Sequence, residues 1–255
     1  MEKKLHNPTL RVLEIFKVLF VNNNGLSFSE ISQITGISKG TLHPILTTLI
    51  YEDFLQINEN KINIGKNCFK IGNAYVHSLD FIDTIKPHMK DIVFVCGEIC
   101  QLGVLDGSDV LYIEKTEPKQ AIKLESYVGK NLPAYATALG KCLLSGLNDD
   151  EIRKLYLDKN SFQKYTQNTV SDISSLLKQI YEVRANGYAH EIAESDKDIE
   201  CVAVPLRSDG KIIASISVSL PIYRSNNEKI RSIIEILKLQ AALIEKENSL
   251  IYKSK

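Results

Sequence analysis

The sequence predicts an α+β protein with an N-terminal winged helix-turn-helix followed by a larger mixed domain. Three observations predict this fold. Residues 27–49 hold a short capped helix, a glycine turn and an amphipathic helix. Two short strand-like runs then follow as a hairpin. After Gly97 the hydrophobic period changes to that of strands, interleaved with helices, which indicates a mixed domain of about 170 residues.

The composition is typical of a globular protein. The 255 residues are 44% hydrophobic and 24% charged, which argues against disorder. No apolar run reaches the roughly 20 residues of a membrane-spanning helix, and the first residues lack a signal peptide pattern. Five irregularly spaced cysteines favour reduced thiols over a disulfide framework. We therefore expect a cytoplasmic protein with no membrane partner.

The first two helices are predicted from periodicity and capping. Residues 10–22 form the first helix, which ends at the run NNNG. Its broad apolar face consists of Leu10, Leu13, Phe16, Val18 and Phe20. Ser27 and Glu30 form a capping-box pair at the start of a second helix, which is expected to bury Ile31 and Ile34. The turn after it is provided by Gly36.

The third helix begins either at Ser38 or at Thr41, and Pro44 separates the two alternatives. A start at Ser38 places Pro44 in the helix interior, where a missing N–H costs about 3 kcal/mol. A start at Thr41 places Pro44 in the first turn, where no N–H bond is needed. In the second case Ser38 to Gly40 form a turn-like lead-in. We therefore expect a recognition helix with a shortened or bent start. Its apolar stripe is Leu42, Ile45, Leu46 and Leu49.

The side of this helix opposite the stripe holds the candidate DNA contacts. They are Ser38, Lys39, Gly40, Thr41, His43 and Thr47. A lysine there can contact a phosphate or guanine, and threonine can contact a phosphate or a thymine methyl group. Residues 1–75 hold eight Lys/Arg and six Asp/Glu, a small excess that favours nucleic acid. The alternatives are a solvated face and a three-helix module that packs on a partner protein.

A hairpin and two helices complete the N-terminal part. Residues 54–57 and 61–64 predict the two strands of a wing, and residues 66–79 predict a helix that leaves it. A further helix at 81–94 contains Pro87, so we expect two pieces or a kink. The expected domains are a winged helix at 1–65, a linker helix at 66–80 and a second domain at 81–255.

The second domain is predicted to mix hairpins and helices. Its predicted strands are residues 99–106, 109–117, 121–128, 188–193, 199–206 and 211–220. Its predicted helices are a small-residue helix within 132–147, a helix at 171–187 and a final helix at 226–250. Ser171 or Asp172 caps the second of these helices, and Gly187 ends it.

At this level of detail the chain resembles the IclR family of bacterial transcriptional regulators over almost its whole length. The segments that carry the resemblance are LPAYATALGKCLL (132–144), ANGYAHEIAESDKDIECVAVPL (185–206), GKIIASISVSLP (210–221) and, more loosely, GISKGTLHPILTTL (36–49). The resemblance implies a winged helix that binds double-stranded, pseudo-palindromic operator DNA. It also implies a GAF-like α/β domain that binds a small effector, often a carboxylate, in a homodimer or homotetramer.

The resemblance further implies an effector pocket. Its residues in this chain are Thr137, Ala138, Leu139, Gly140, Glu191, Cys201, Ser217 and Ser219. Ser217 and Ser219 lie two apart on a strand, so both hydroxyls point to one side and can donate to a carboxylate. The N–H groups at the start of the small-residue helix can also receive an anion. Glu191 repels an anion unless it faces a hydroxyl, which favours a 2-oxo, 2-hydroxy or sugar acid. Buried, backbone-bonded serines are an equal alternative.

Three positions depart from the family pattern. Pro44 and Asn63 stand where the recognition helix and the wing commonly carry arginine, and Glu191 is one methylene longer than the aspartate of some relatives. The operator and the effector therefore do not follow from the relatives. The alternative function is a metabolite-binding protein or enzyme that has lost operator reading.

Other chemistry has little support in the sequence. Cys96 and Cys100 are too few for a metal site, and Cys201 with His190 matches no nucleophile signature. Phosphate loops and nucleotide fingerprints are absent from the sequence. We expect no cofactor, no metal and no enzymatic activity.

Overall fold

The computed structural model describes residues 5–79, 82–119, 126–157 and 162–253, apart from the side chains of residues 77 and 248–253. The chain divides into two compact units, Met1–Leu79 and Asp80–Lys255. Most of the strand expected at 121–128 lies outside the described residues, and its last three residues are not in a strand. Among the described helices, none combines the length and apolar character that a membrane crossing requires.

The first unit is a winged helix-turn-helix, as the sequence predicts. Its elements are α1 (Asn7–Val21), α2 (Phe28–Thr35), α3 (Lys39–Tyr51), β1 (Leu55–Asn58), β2 (Lys61–Ile64) and α4 (Lys66–Ser78). The two strands pair antiparallel. An isolated bridge from Leu26 to Ile62 attaches the hairpin to the chain before α2. The Ser27–Glu30 capping box is present, and Gly36 has a φ of 67° at the end of α2.

The core of this unit is narrower than the sequence suggests. On α1 the buried residues are Ile15, Val18 and Leu19, which form an i, i+3, i+4 stripe. Leu10, Leu13 and Phe20 on α1, and Ile34 on α2, are exposed, so their expected burial was wrong. A small three-helix core covers only one stripe of each helix, and the other apolar residues stay outside it.

The second unit combines one antiparallel sheet with flanking helices. Its helices are α5 (Ile82–Cys96), α6 (Ala138–Leu144), α7 (Asp149–Leu155), α8 (Ile173–Asn186) and α9 (Asn227–Lys253). Its strands are β3 (Ile99–Asp106), β4 (Asp109–Thr116), β5 (Asn131–Pro133), β6 (Ala189–Ile192), β7 (Ile199–Ser208) and β8 (Lys211–Pro221). The described strands run in the order β5-β4-β3-β8-β7-β6.

Two helices of the second unit differ from expectation. α5 is one helix that continues through Pro87, so the prediction of two pieces was wrong. α7 was not predicted, although Asn148 and Glu151 form a capping box at its start. α8 begins and ends as predicted, with Asp172 accepting the Ser175 N–H and Gly187 in the left-handed conformation.

Helices cover both faces of the central strands. α6 and α8 form a buried cluster with Tyr112 of β4, Ala189 of β6 and Ala203 of β7. Val202 and Val204 of β7 are also buried, but strand alternation points them to the other face. α5 and α9 contact each other and also β3 and β7, which leaves that other face to them. Side chains on the α6 face therefore lie between a sheet and a helical layer.

Candidate functional site: a recognition helix and a cavity on the sheet

The third helix begins at Lys39 with Ser38 at its N-cap, so the shortened start at Thr41 was wrong. The N–H groups of Thr41 and Leu42 both bond the Ser38 carbonyl, at 3.0 and 2.9 Å. Ser38 occupies the N-cap without a side-chain cap bond, and its hydroxyl lies 3.1 Å from that of Thr41. Pro44 is consequently an interior residue of α3. Its missing N–H removes one helical hydrogen bond.

Packing compensates for that missing bond. Leu42 and Leu46 are buried, and Ile45 and Leu49 pack against the same cluster, as predicted. Burying one large apolar side chain contributes about 1.5–3 kcal/mol, whereas an interior proline costs about 3 kcal/mol. Two fully buried leucines are therefore enough to keep α3 helical across Pro44.

The predicted DNA contacts lie on the surface that this stripe leaves uncovered. Thr41 is half-buried, and the exposed candidates are Ser38, Lys39, Gly40, His43 and Thr47. The Thr47 hydroxyl donates to the His43 carbonyl at 2.9 Å. The His43 ring lies 6.3 Å from the ring of Phe28 on α2. Residues 38–51 contain no acidic side chain, so nothing on this helix repels a phosphate backbone.

The wing offers one cation beside this surface. Glu59 and Asn60 have positive φ angles of 50° and 64°, which gives the two-residue turn that matches strand twist. Lys61 follows the turn and is exposed. Asn63 packs on the loop before α2, because a Cβ on Gly25 would lie only 2.4 Å from its Oδ1. Asn63 is therefore part of the attachment of the wing.

A cavity of about 260 Å³ lies on the α6 face of the sheet in the second unit. Its lining is formed by Gln101, Tyr112, Ser126, Leu132, Tyr165, Ser195, Asp196, Ile199, Cys201 and Ser219. Among the described lining residues, Asp196 is the one with a charged side chain, which is a carboxylate. The cavity has room for a small polar molecule, and its lining is formed mainly by neutral groups.

A row of hydrogen-bonded side chains crosses the floor of the cavity. Cys201 on β7 and Ser219 on β8 are register partners, and their Sγ and Oγ lie 3.1 Å apart. The Ser219 hydroxyl donates to Gln101 Oε1 on β3 at 3.0 Å. Gln101 Nε2 in turn donates to the Ser126 hydroxyl at 2.5 Å. The floor is thus a connected polar network that spans three strands and a loop.

Glu191 extends this row behind Cys201. It is the register partner of Cys201 on β6 and is fully buried. Its Oε1 accepts the N–H groups of Glu194 and Ser195, whereas its Oε2 is buried without a partner among the described residues. Burial raises the pKa of Glu191 to about 7, against the lowering effects of the Glu194 N–H and of Lys141. Near neutral pH the carboxyl is therefore close to half protonated.

Lys141 and Glu194 form a buried ion pair next to Glu191. The Lys141 ammonium donates to Glu194 Oε1, and both side chains are nearly inaccessible. Glu194 Oε2 is buried without a partner among the described residues. Two carboxyl groups therefore share one ammonium, which is a further reason for one of them to hold a proton.

The predicted residues at 137–140 shape α6 and do not line the cavity. The Thr137 hydroxyl accepts the Gly140 N–H at 3.0 Å and caps the helix. A Cβ on Gly140 would lie 2.2 Å from the Ala134 carbonyl oxygen, so only glycine permits this close approach. Ala138 and Leu139 are buried in the cluster between α6 and the sheet. The Gly140 N–H is used within the protein and is not available to an anion.

Of the remaining predicted effector residues, two line the cavity and two lie outside its lining. Cys201 and Ser219 line the cavity. Ser217 is buried between its register partners Gln101 and Ala203 and is not in the lining. Glu191 lies behind Cys201, outside the lining.

The sequence reasoning missed most of the lining. The missed polar residues are Gln101, Tyr112, Ser126, Tyr165, Ser195 and Asp196. Of these, Tyr112 is buried, with 5% of its surface exposed. One signal was available: the amide of Gln101 interrupts the otherwise apolar run ICQLGV.

Other chemistry receives no support from the described part of the chain. No group of three or more His, Cys, Asp or Glu residues is arranged there to hold a metal ion. The cysteines are free, and burial raises the pKa values of Cys96, Cys100 and Cys201. These thiols are therefore poor nucleophiles.

Comparisons with known proteins agree with this architecture. Residues 73–246 match the family described as "Bacterial transcriptional regulator IclR C-terminal". Residues 9–58 match the "IclR helix-turn-helix domain". The HTH-type transcriptional regulator XynR of Escherichia coli K12 is 32% identical over 236 residues, which cover 91% of this chain and 93% of that protein.

Solved structures show the same fold. The structure of the Thermotoga maritima IclR has a TM-score of 0.76 at 26% identity, covering 96% of this chain and 100% of that one. An IclR homologue from Microbacterium hydrocarbonoxydans, complexed with 4-hydroxybenzoate, has a TM-score of 0.84 at 21% identity. That match covers 94% of this chain and 98% of the homologue.

Proposed function

We propose, from the premise that this chain belongs to the IclR family of bacterial transcriptional regulators, that a small carboxylate in the cavity controls operator binding. The chain is a DNA-binding regulator with a C-terminal ligand-binding domain, and its relatives are regulators and not enzymes. The observation that carries the proposal is the combination of an exposed, acid-free recognition helix with a separate cavity floored by a polar network. Such a regulator acts in the cytoplasm, where bacterial DNA is found.

The DNA half of the proposal assigns roles along α3. Lys39 contacts a phosphate or guanine, and His43 and Thr47 reach base edges in the major groove. Ser38 and Thr41 contact the backbone at the first turn, where hydroxyl groups face phosphates. Gly40, which has no side chain, lets the helix approach the groove closely. A homodimer or homotetramer presents two such helices, so the operator is a pseudo-palindrome whose half-site spacing matches the dimer.

The effector half of the proposal places a small acid over the polar floor. Ser219 and Cys201 contact the ligand directly, and Ser217 and Glu191 support them from the same face. Thr137, Ala138, Leu139 and Gly140 hold α6 against the same face of the sheet and act on the cavity only indirectly. The described lining has no lysine or arginine, so neutral donors hold the carboxylate.

The class of effector follows from the charges around the cavity. Asp196 accepts a hydroxyl of the ligand, which favours 2-hydroxy or sugar acids over plain carboxylates. The pKa of Glu191, about 7, leaves much of that group neutral and so reduces repulsion of an anion. The complex of a homologue of the same fold with 4-hydroxybenzoate is a precedent for an aromatic hydroxy acid.

Effector binding changes DNA affinity only if the ligand prefers one arrangement of the two winged helices in the oligomer. A gel shift with promoter DNA from the region of the gene tests both halves. We expect a band that depends on sequence and changes with the effector acid. Absence of sequence-preferring binding at moderate salt contradicts the proposal.

A thermal-shift screen of 2-oxo, 2-hydroxy and sugar acids identifies the effector, because a ligand that binds the native state raises Tm by mass action. The double substitution Ser217→Ala with Ser219→Ala is expected to abolish that shift. Ser215→Ala is the matched control, because Ser215 is a buried serine on the same strand whose hydroxyl donates to the Val204 carbonyl. An equal rise in Tm in the wild type, the double variant and Ser215→Ala would show that Ser217 and Ser219 do not bind the effector.

A further inference from the structure

We propose that the recognition helix reads thymine through apolar contacts, so that A·T pairs occupy the part of each half-site beneath α3. The proposal rests on the assignment of α3 as the operator-reading helix and specifies what that helix recognises. Two observations support the proposal. One is the identity of the residues at the centre of the exposed surface of α3, and the other is which of their side-chain groups are not used in hydrogen bonds within the protein.

The centre of the exposed surface of α3 is apolar. In a helix of 3.6 residues per turn, Tyr51 in the last turn of α3 lies opposite the Leu42–Leu46 stripe. The earlier positions opposite that stripe are Gly40, Pro44 and Thr47. All three are exposed, at i, i+4 and i+7. Lys39 and His43 lie toward one edge of this surface, and Thr48 lies toward the other. Residues nearest the base edges are therefore a glycine, a proline and a threonine.

The hydroxyl groups on this surface are already used. Thr47 donates its hydroxyl hydrogen to the His43 carbonyl at 2.9 Å, and Thr48 donates to the Pro44 carbonyl at 2.9 Å. What both threonines still present to a base is a methyl group and hydroxyl lone pairs. Pro44 presents a ring without an N–H. The surface therefore offers apolar contact in place of hydrogen-bond donors.

The surface also allows a close approach. A Cβ placed on Gly40 meets no atom within 4 Å, so the helix is bare one turn before Pro44. A bare position lets the groove edge come nearer to the proline ring and the threonine methyl groups. We call Gly40, Pro44 and Thr47 the exposed strip. No charged group and no steric clash prevents this strip from contacting the C5-methyl group of a thymine.

Guanine reading is disfavoured by the same residues. Bidentate recognition of guanine needs an arginine or lysine, and residues 36–51 contain no arginine and one lysine, Lys39. Lys39 is the first residue of the helix and lies at the edge of the strip. The centre offers apolar contact to the thymine methyl group, and its hydroxyl lone pairs can only accept, as from the amino groups of adenine or cytosine. Neither guanine N7 nor guanine O6 can be bound by such groups.

The test begins with selection of binding sites from random duplex DNA by the full-length protein. We expect T·A pairs at the positions beneath α3 in each half-site. The selected operator is then synthesised with deoxyuridine at those positions, which removes only the methyl groups. Affinity is expected to fall about fourfold per contacted methyl, the effect of one methylene-sized apolar contact. 5-Methylcytosine at the same positions carries the methyl group on a C·G pair and should lose less affinity than plain cytosine.

Two substitutions separate the methyl group of Thr47 from its hydroxyl. Thr47→Val keeps a methyl group at that position and is expected to retain discrimination between thymine and uracil. Thr47→Ser keeps the hydroxyl and is expected to lose about fourfold in affinity for thymine DNA but not for uracil DNA. Pro44→Arg is expected to shift the selected sites toward guanine.

The outcomes distinguish failure of thymine recognition from failure of operator binding. Sequence-preferring binding that is indifferent to uracil, or selected half-sites dominated by guanine, overturns the thymine inference and leaves the operator-binding function intact. Failure to select any sequence overturns both, and an apolar strip that instead binds a protein partner would give this result.

Discussion

The recognition helix and the cavity floor present their functional residues in opposite ways. On α3 the candidates are what remains exposed after one stripe is buried; Lys39, His43 and Thr47 all reach solvent. On β8 the candidates Ser217 and Ser219 are buried along with the structural residues around them, and Cys201 on β7 is half-buried.

This difference decides what each region can tolerate. A substitution on the exposed strip removes a contact to a partner and leaves the packing of the unit unchanged. A substitution on the cavity side also leaves a neighbour without its hydrogen bond or its charge. The same chemical change should therefore affect DNA binding in one region and stability in the other, and matched pairs of substitutions test this.

The largest difference is expected for lysine. Lys141→Met leaves the buried carboxylates of Glu191 and Glu194 without a cation, which should lower the free energy of unfolding by about 3–5 kcal/mol. Calorimetry of the full chain measures the loss. Lys39→Met at the exposed start of α3 is the control and should change stability by no more than about 0.5 kcal/mol. Adding Glu194→Gln to Lys141→Met should restore part of the loss; equal effects of the two single substitutions would contradict the comparison.

The next effect depends on pH. Because the pKa of Glu191 is raised from 4.5 to about 7, the folded protein holds a proton that the unfolded chain releases. The stability that this proton confers is present below pH 4.5 and is lost as pH rises through about 7. Glu191→Gln cannot ionise, so its stability relative to wild type should grow by about 3 kcal/mol between about pH 5 and about pH 8.

Urea unfolding at both pH values measures this growth. The exposed Glu52→Gln is the control for the same chemical change and should show no such growth. A constant difference between Glu191→Gln and wild type at the two pH values would mean that Glu191 is ionised throughout this range.

A smaller contrast is expected for two glycines in helices. Gly140→Ala forces a Cβ against the Ala134 backbone and should destabilise the second unit by about 1–3 kcal/mol. Gly40→Ala enters open space and should stabilise α3 by about 0.5–1 kcal/mol, since alanine is the better helix former. Thermal unfolding followed by circular dichroism measures whether each substitution raises or lowers stability. A stabilising Gly140→Ala would refute the assignment of α6 as the closely packed helix, and a destabilising Gly40→Ala would refute the open space around Gly40.

The smallest effect is a salt dependence. Lys39→Met should reduce the slope of log K against log salt concentration by about one, the contribution of one phosphate contact. Fluorescence anisotropy with the selected operator at several salt concentrations measures the slope. The same measurement on Lys61→Met tests whether the lysine of the wing makes a second phosphate contact. An unchanged slope in Lys39→Met would assign Lys39 to base contact or to solvent.

Local features of the fold were predictable because neighbouring residues determine them. The capping box of Ser27 and Glu30, the wing turn at Glu59 and Asn60, and the cap at Asp172 follow from rules a few residues long. The extent of burial on α1 was not predictable, since a periodic pattern does not say how wide a stripe the rest of the core will cover. The prediction for Pro44 failed for a similar reason: packing of the stripe outweighed a local penalty.

The sequence by itself determined the winged helix, most of the order of strands and helices apart from β5 and α7, and which residues of α3 face outward. These depend on local capping and turn chemistry and on the period of apolar residues. The tertiary structure alone decided the cavity, because Gln101, Tyr112, Ser195 and Cys201 come from separate strands and loops that only the sheet order brings together. It also decided the charge of that region, because the pKa of Glu191 depends on burial beside Lys141 and Glu194, and burial is a property of the assembled layers.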